Sequence, residues 1–147
     1  MNNKKSEKVG LILSTITDER EKMVNMIQAF PSAKKANEIT DGSLVLLYNT
    51  KQNYFFAQAR LKEIVTLSSM EKNTLKNNYP KAYDQEWKYN FLFYDYKLLT
   101  YKFTVDELNY YSKKVSYKKG YPLGKSGSIL YVDIHDIKVL PKLKIIV

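Results

Sequence analysis

Residues Gly120–Ser126 carry part of a phosphate-binding pattern, since a Gly-Lys-Ser run follows an earlier glycine. A phosphate-binding loop of that type needs four residues between its glycines, and it follows a strand and opens a helix. Here three residues separate Gly120 from Gly124, and the strand-like run Ser128–Ile134 comes next. We therefore interpret the segment as a turn and predict no nucleoside triphosphate site.

Acid, base and metal chemistry has few candidate residues in this sequence. His135 is the single histidine and lies beside Asp133 and Asp136, with no further ligand type nearby in sequence. The chain has no cysteine, which excludes disulfides, thiolate catalysis and cysteine zinc sites. It also contains no G-x-S-x-G nucleophile motif. The sequence predicts no catalytic residue, no metal and no cofactor, and the Asp-His-Asp group is interpreted as a turn between strands.

Aromatic and basic residues form a more informative pattern. The run Tyr110–Tyr121 interleaves tyrosines with Lys113, Lys114, Lys118 and Lys119. Lysines contact phosphates and aromatic rings stack on unpaired bases, so the run is a candidate nucleic-acid contact. The alternative is a solvated helix end, where lysines complement the helix dipole.

Trp87 is the single tryptophan and stands where a polar stretch enters an aromatic strand. If it stacks on a flipped base, it should be partly exposed in the free protein. If it belongs to the core, it should be buried, and its replacement by alanine should cost about 3–5 kcal/mol. Both interpretations stay open at the level of the sequence.

The net charge of +9 over 147 residues favours a polyanionic partner. Residues 101–147 are the most basic part, with nine lysines against four acidic residues. AT-rich codons would also produce a lysine-rich chain and are the alternative explanation.

The length fits one domain over residues 1–147, with residues 1–7 frayed. No apolar run approaches the ~20 residues of a membrane span, so we expect no membrane partner. The absence of cysteine makes a cytoplasmic location the default expectation.

Capping signals predict three helices. Thr17 caps the first, which carries acidic residues in its first turn and stops at Pro31. Capping boxes open the other two, one formed by Ser68 with Glu71 and the other by Thr104 with Glu107.

Apolar runs and turn signals predict six strands. The clearest unit is an antiparallel hairpin over Asp41–Ile64, with Leu44, Leu46, Phe56 and Leu61 buried. The predicted strands are Val9–Ser14, Ser43–Asn49, Tyr54–Val65, Trp87–Tyr101, Ser128–Ile134 and Ile137–Val147. The resulting order, β-α-β-β-α-β-α-β-β, predicts an α+β fold. We expect a small, mainly antiparallel β-barrel of about five to six strands with about three peripheral helices.

Three segments resemble the PUA-like superfamily: Leu11–Glu19, the hairpin Asp41–Ile64, and the aromatic strand that begins at Trp87. The most similar branches are the EVE and YTH-type readers of modified bases, and the run SGSILYVDI resembles the end of an EVE domain. The chain also resembles the N-terminal recognition domains of McrB-type restriction proteins, which implies a following C-terminal AAA+ motor domain as a partner.

The resemblance implies a non-catalytic module that takes a flipped or modified base of DNA or RNA into an aromatic pocket beside the first strand. YTH readers have a second tryptophan that this chain lacks, so a tyrosine would have to complete the pocket. The implied base-pocket residues are Ser14, Thr15, Thr17, Tyr48, Trp87 and Tyr89. The predicted phosphate-binding residues are Lys51, Lys113, Lys114, Lys118, Lys119 and Lys125.

Two other functions remain as alternatives. The chain could instead resemble the ASCH-like branch of the same superfamily, which implies a small amidohydrolase acting on modified nucleosides. Lys62, Glu63 and Thr66 are the candidates for its Lys-Thr-Glu set, although neighbours on a strand point to opposite faces. A protein-interaction module using the tyrosine-rich surface is the other alternative.

Overall fold

The structure is a computed structural model, and it describes residues 9–36, 41–83, 85–111 and 129–133. These residues form six strands and three helices. The elements are β1 (Val9–Thr15), α1 (Asp18–Ile27), β2 (Ala29–Ser32), β3 (Leu44–Asn49), β4 (Tyr54–Thr66), α2 (Ser69–Asn78), β5 (Tyr89–Thr104), α3 (Val105–Tyr111) and β6 (Ile129–Asp133).

The six strands form one curled, mixed sheet in the order β2-β5-β4-β3-β1-β6. Four of the five neighbouring pairs are antiparallel, while β1 and β3 run parallel. The architecture is an α+β half-barrel with three helices, so the predicted fold class is confirmed. The parallel pair was not predicted, and it brings the carboxyl ends of β1 and β3 to the same edge of the sheet.

The predicted hairpin is present as the antiparallel pair β3 and β4. Leu46, Phe56 and Leu61 are buried as expected, whereas Leu44 is half-buried at the start of its strand. The pairing shifts register between Leu47 and Tyr48, which indicates a bulge in the hairpin.

Local side-chain caps explain where the helices begin. Thr17 accepts a hydrogen bond from the Arg20 N–H and caps α1, as predicted. Ser68 and Glu71 form the predicted capping box of α2. At α3, Glu107 and Thr104 make the same reciprocal pair of bonds to each other's backbone N–H. The sequence signals for helix starts are therefore confirmed at all three positions.

Alternation along the strands builds an apolar cluster on each face of the sheet. Leu11, Leu13 and Phe56 belong to the first core cluster, which also takes in Met23 and Val24 of α1. Ile12, Tyr48 and Phe103 belong to the second core cluster, which packs under Val105 and Leu108 of α3. Both faces of the central strands are thus covered.

Two sequence expectations need correction or lie outside the described residues. The first helix ends at Ile27, and Ala29–Ser32 forms a short strand that pairs with the start of β5. The prediction that Pro31 stops the helix is wrong, because Pro31 lies within an edge strand, which accommodates proline since its missing N–H is not needed there. The predicted strand Ile137–Val147 lies outside the described residues.

In the part of the chain that the structure describes, no helix is long and apolar enough to cross a membrane.

Candidate nucleic-acid interface

A cluster of polar side chains lies where the parallel strands β1 and β3 end. Thr15 pairs with Asn49 in the register, and the chain then turns from β1 into α1. Backbone bonding continues past the strand ends, because the Thr50 N–H donates to the Thr15 carbonyl at 2.9 Å. We call this group the polar edge, and it consists of Thr15, Thr17, Asp18, Glu21, Asn49, Thr50, Lys51, Gln52 and Tyr54.

Asn49 is the centre of the polar edge. Its side chain is fully buried, and its Nδ2 donates to Asp18 Oδ1 at 3.0 Å and to Glu21 Oε1 at 2.8 Å. Its Oδ1 accepts the Gln52 N–H at 2.9 Å. One amide therefore holds two carboxylates of α1 and the turn after β3 in a fixed arrangement.

The two carboxylates set the electrostatics of the polar edge. The pKa of Asp18 lies below its ordinary value, chiefly because Asn49 donates to the carboxylate, with Gln52 and the ammonium of Lys51 at 3.6 Å adding to the effect. Burial, together with the nearby charge of Glu21, raises the pKa of Tyr54 to about 12. Tyr54 therefore keeps its proton at neutral pH and remains a hydrogen-bond donor, placed 3.5 Å from Glu21 Oε2.

Four of the predicted base-pocket residues come together at this edge, but most are buried. Ser14 lies opposite Tyr48 in the register, and both are almost inaccessible to solvent. Thr15 is buried and donates weakly to the Tyr48 carbonyl, while the Tyr48 hydroxyl donates to Asn53 Oδ1 at 2.5 Å. Thr17 is half-buried as the helix cap. Thr15 and Thr17 thus belong to the polar edge, while Ser14 and Tyr48 lie one residue earlier on their strands. Thr17 is the most exposed of the four.

Trp87 lies in the first core cluster, with no exposed surface. The guanidinium of Arg20 lies over its ring at 5.3 Å from the centroid and over the Phe30 ring at 4.8 Å. Tyr83 packs edge-on against the indole at 4.9 Å. The structure thus gives Trp87 the core position that was the alternative to an exposed stacking position, and a base could stack on this indole only by displacing the side chains that pack on it.

The remaining predicted site residues are dispersed. Tyr89 is half-buried at the start of β5, where it pairs with Ser32 and Thr66. Lys51 is exposed and belongs to the polar edge through its ion pair with Asp18. The predicted phosphate-binding residues Lys113, Lys114, Lys118, Lys119 and Lys125, together with His135 and Asp136, lie outside the described residues.

Sequence reasoning missed the residues that organise the polar edge and the packing around Trp87. The sequence marks Asn49 only as a strand end, and Asp18 and Glu21 only as the acidic first turn of a helix. Arg20 stands between acidic neighbours in the sequence, which is typical of a solvated helix start, yet it is buried and donates to the Pro31 carbonyl at 2.6 Å. A signal was available, since Arg20 is one of two arginines among 24 basic residues.

The polar edge can offer hydrogen-bond donors and acceptors to a ligand. Gln52 and Lys51 are exposed, and Thr17 and Asp18 are half-buried, so a planar polar ligand could exchange its water for these groups. The Lys-Thr-Glu candidates of the hydrolase alternative do not join them. Lys62, Glu63 and Thr66 are exposed on β4, away from its turn with β3.

The chain shares its fold with solved ASCH domains. The chain is similar to the ASCH protein of Zymomonas mobilis, with 14% identity, a TM-score of 0.56, and coverage of 92% of this chain and 93% of that one. A tyrosine-to-phenylalanine mutant of that protein aligns with a TM-score of 0.59, 14% identity, and coverage of 91% and 97%. Its serine-to-alanine mutant gives 0.58, 14%, and coverage of 94% and 97%. No protein-family model and no curated protein sequence matches the chain.

Proposed function

We propose that this chain is a non-catalytic nucleic-acid-binding module that recognises a flipped or modified base at the polar edge. The PUA-like architecture supports a binding role, and the net charge of +9 supports a polyanionic partner. The finer proposals, a modified base as ligand and a following AAA+ motor of a restriction system, derive from the EVE and McrB resemblance of the sequence.

The observation that carries the proposal is the position of β6. Ile129, the first described residue after the basic run, pairs with Leu13, two residues before the end of β1. Residues 112–128 carry five lysines and no acidic residue. The sequence that precedes β6 is therefore strongly basic, and β6 itself begins beside the end of β1 that bears the polar edge. Base recognition requires phosphate contacts, which position the protein, and hydrogen bonds, which identify the base. The lysines would supply the first and the polar edge the second.

The test is a charge-matched pair of variants measured against DNA and RNA oligonucleotides. The first replaces Lys113, Lys114, Lys118 and Lys119 with alanine. The control replaces four exposed lysines of the described structure, which are Lys35, Lys81, Lys88 and Lys97. Both variants have the same net charge, so a general charge effect would weaken binding equally. We expect the first variant to bind all sequences more weakly, with a salt slope flatter by ~0.7–0.9 for each phosphate that is no longer bound.

Equal weakening of the two variants would contradict the assignment of the basic segment. Modification specificity is tested separately, by competing methylated against unmodified oligonucleotides of one sequence. We expect the methylated oligonucleotide to compete better than the unmodified one. If the two compete equally, both as DNA and as RNA, the modified-base part of the proposal is wrong.

The ASCH-like neighbours also favour a second candidate function, a small amidohydrolase acting on modified nucleosides. We propose this function as the alternative because the solved structures of similar fold are ASCH proteins. Chromatography of nucleosides carrying an exocyclic amide, after incubation with the chain, tests it. Turnover that disappears in Lys62→Ala would favour the hydrolase over the binding module.

A further inference from the structure

The indole N–H of Trp87 is a buried donor that lacks a hydrogen-bond partner. Trp87 has no exposed surface, and its Nε1 is one of the few buried side-chain polar atoms, among those the structure describes, for which no partner is present. Tryptophan is a donor only, so nothing but an acceptor can satisfy this group. Because buried polar groups are nearly always paired in native proteins, an unpaired indole N–H requires an explanation.

The surroundings of the indole favour an acceptor that carries partial negative charge. The Arg20 guanidinium lies between the rings of Phe30 and Trp87, at 4.8 Å and 5.3 Å from their centroids. It is held there by its bond to the Pro31 carbonyl. A positive charge beside an unused donor stabilises an oxygen atom and disfavours an incoming amino group.

The segment that covers Trp87 offers a way in. Tyr83 packs edge-on against the indole, is half-buried, and belongs to the irregular stretch between α2 and β5. The ammonium of Lys76 lies over its ring at 5.2 Å from the centroid. Tyr83 belongs to neither a strand nor a helix, so a rotation of its half-exposed side chain would change the cover of the indole without breaking either.

We propose that the Trp87 indole N–H donates a hydrogen bond to the carbonyl oxygen of a keto base, guanine or uracil, that enters beside Tyr83. The inference rests on the nucleic-acid-binding part of the proposed function, and it concerns a second base contact, separate from the polar edge, that would select the class of base. Adenine would present an amino group where guanine and uracil present an oxygen, and two donors would then face each other. Trp87 thus acts by its N–H rather than by stacking.

The single tryptophan makes the test direct. In protein labelled with ¹⁵N at the indole nitrogen, the spectrum contains one indole cross-peak, because the chain has one tryptophan. Oligo-U and oligo-A of equal length are titrated at low salt, while fluorescence anisotropy follows binding of the same oligonucleotides. We expect the indole proton to move downfield and exchange more slowly with oligo-U, and to move little with oligo-A.

A matched replacement isolates the N–H. Substituting 3-benzothienylalanine for Trp87 keeps the shape of the ring system and removes the donor. Oligo-U binding should then weaken by about two- to tenfold, the range of one neutral hydrogen bond. Oligo-A binding should stay within twofold. Tyr83→Ala should make the indole more accessible to acrylamide quenching, which checks the route of entry.

The outcomes separate the two proposals. If both oligonucleotides bind but the indole signal is unmoved, or moves equally with oligo-A, the inference is wrong and the proposed function stands. If an internal water satisfies the indole, the cross-peak is protected from exchange already in the free protein and does not respond to oligo-U, which also overturns the inference. If neither oligonucleotide binds at low salt, both proposals fall.

Discussion

Replacing Asn49 with alanine removes the group that joins α1 to the end of β3 and the turn that follows it. The side chain makes three hydrogen bonds, to Asp18, to Glu21 and from the Gln52 N–H, and it is fully buried. At about 1 kcal/mol each, three bonds give about 3 kcal/mol. Because both carboxylates lie near the surface and can regain water, we expect Asn49→Ala to lower the free energy of unfolding at pH 7 by about 2–3 kcal/mol.

The loss should depend on pH in a direction that the pKa of Asp18 fixes. A folded-state pKa that is lowered contributes stability above the unfolded pKa, and this contribution disappears as the pH falls through the folded value. Since Asn49 is the leading cause of the lowered pKa of Asp18, the variant loses that contribution. The gap between wild type and Asn49→Ala should therefore be widest at neutral pH and should narrow below about pH 4.

Urea unfolding followed by circular dichroism between pH 3 and pH 8 measures both effects. Asn77→Ala, at an exposed position of α2, serves as the control and should change stability by less than about 0.5 kcal/mol. Asn49→Asp adds a third carboxylate, so it should be the least stable variant at pH 7 and should recover towards acid pH. A loss in Asn49→Ala below about 1 kcal/mol, or a gap that does not change with pH, would refute the role assigned to Asn49.

Two further predictions concern single side chains. The phenol of Tyr54 should titrate near pH 12, so the difference in absorbance at 295 nm between wild type and Tyr54→Phe should rise there and not near pH 10. Because the pKa is raised in the folded state, the wild type should lose stability between about pH 10 and 12, and Tyr54→Phe should lose less. Trp87→Ala should lower the free energy of unfolding by about 3–5 kcal/mol, as measured by calorimetry. Met70→Ala, at an exposed position, is the control and should change it by less than about 0.5 kcal/mol. If the two variants change stability by similarly small amounts, Trp87 is not a core residue.

Much of the fold could be predicted because its signals are local. The hairpin of β3 and β4 joins two apolar strands through a short polar turn, and the capping residues Thr17, Ser68 and Thr104 lie within three residues of the groups they bind. The parallel pairing of β1 with β3 depends on contacts more than thirty residues apart, for which no local pattern exists. The short strand β2 was missed because a proline such as Pro31 usually marks a turn or the end of an element rather than a strand.

The site was harder to predict than the fold. Trp87 stands at a junction between loop and strand, and that position does not show whether the ring faces solvent or the core. Its burial depends on Arg20 and Phe30, which approach it from α1 and β2. Asn49 likewise gains its importance from Asp18 and Glu21, which lie about thirty residues away in sequence and contact it through tertiary structure. Residue types suggested polar and aromatic sites, but tertiary packing decided which side chains meet.

Salt dependence of nucleic-acid binding tests the central claim most directly. A labelled single-stranded oligonucleotide is titrated with the full chain by fluorescence anisotropy at several salt concentrations between about 50 and 300 mM. A basic module that binds through phosphates should show a linear fall of log K with log salt, with a slope of about −0.7 per phosphate contact for a single strand. Absence of binding at the lowest salt concentration, or an affinity that does not change with salt, would contradict the account.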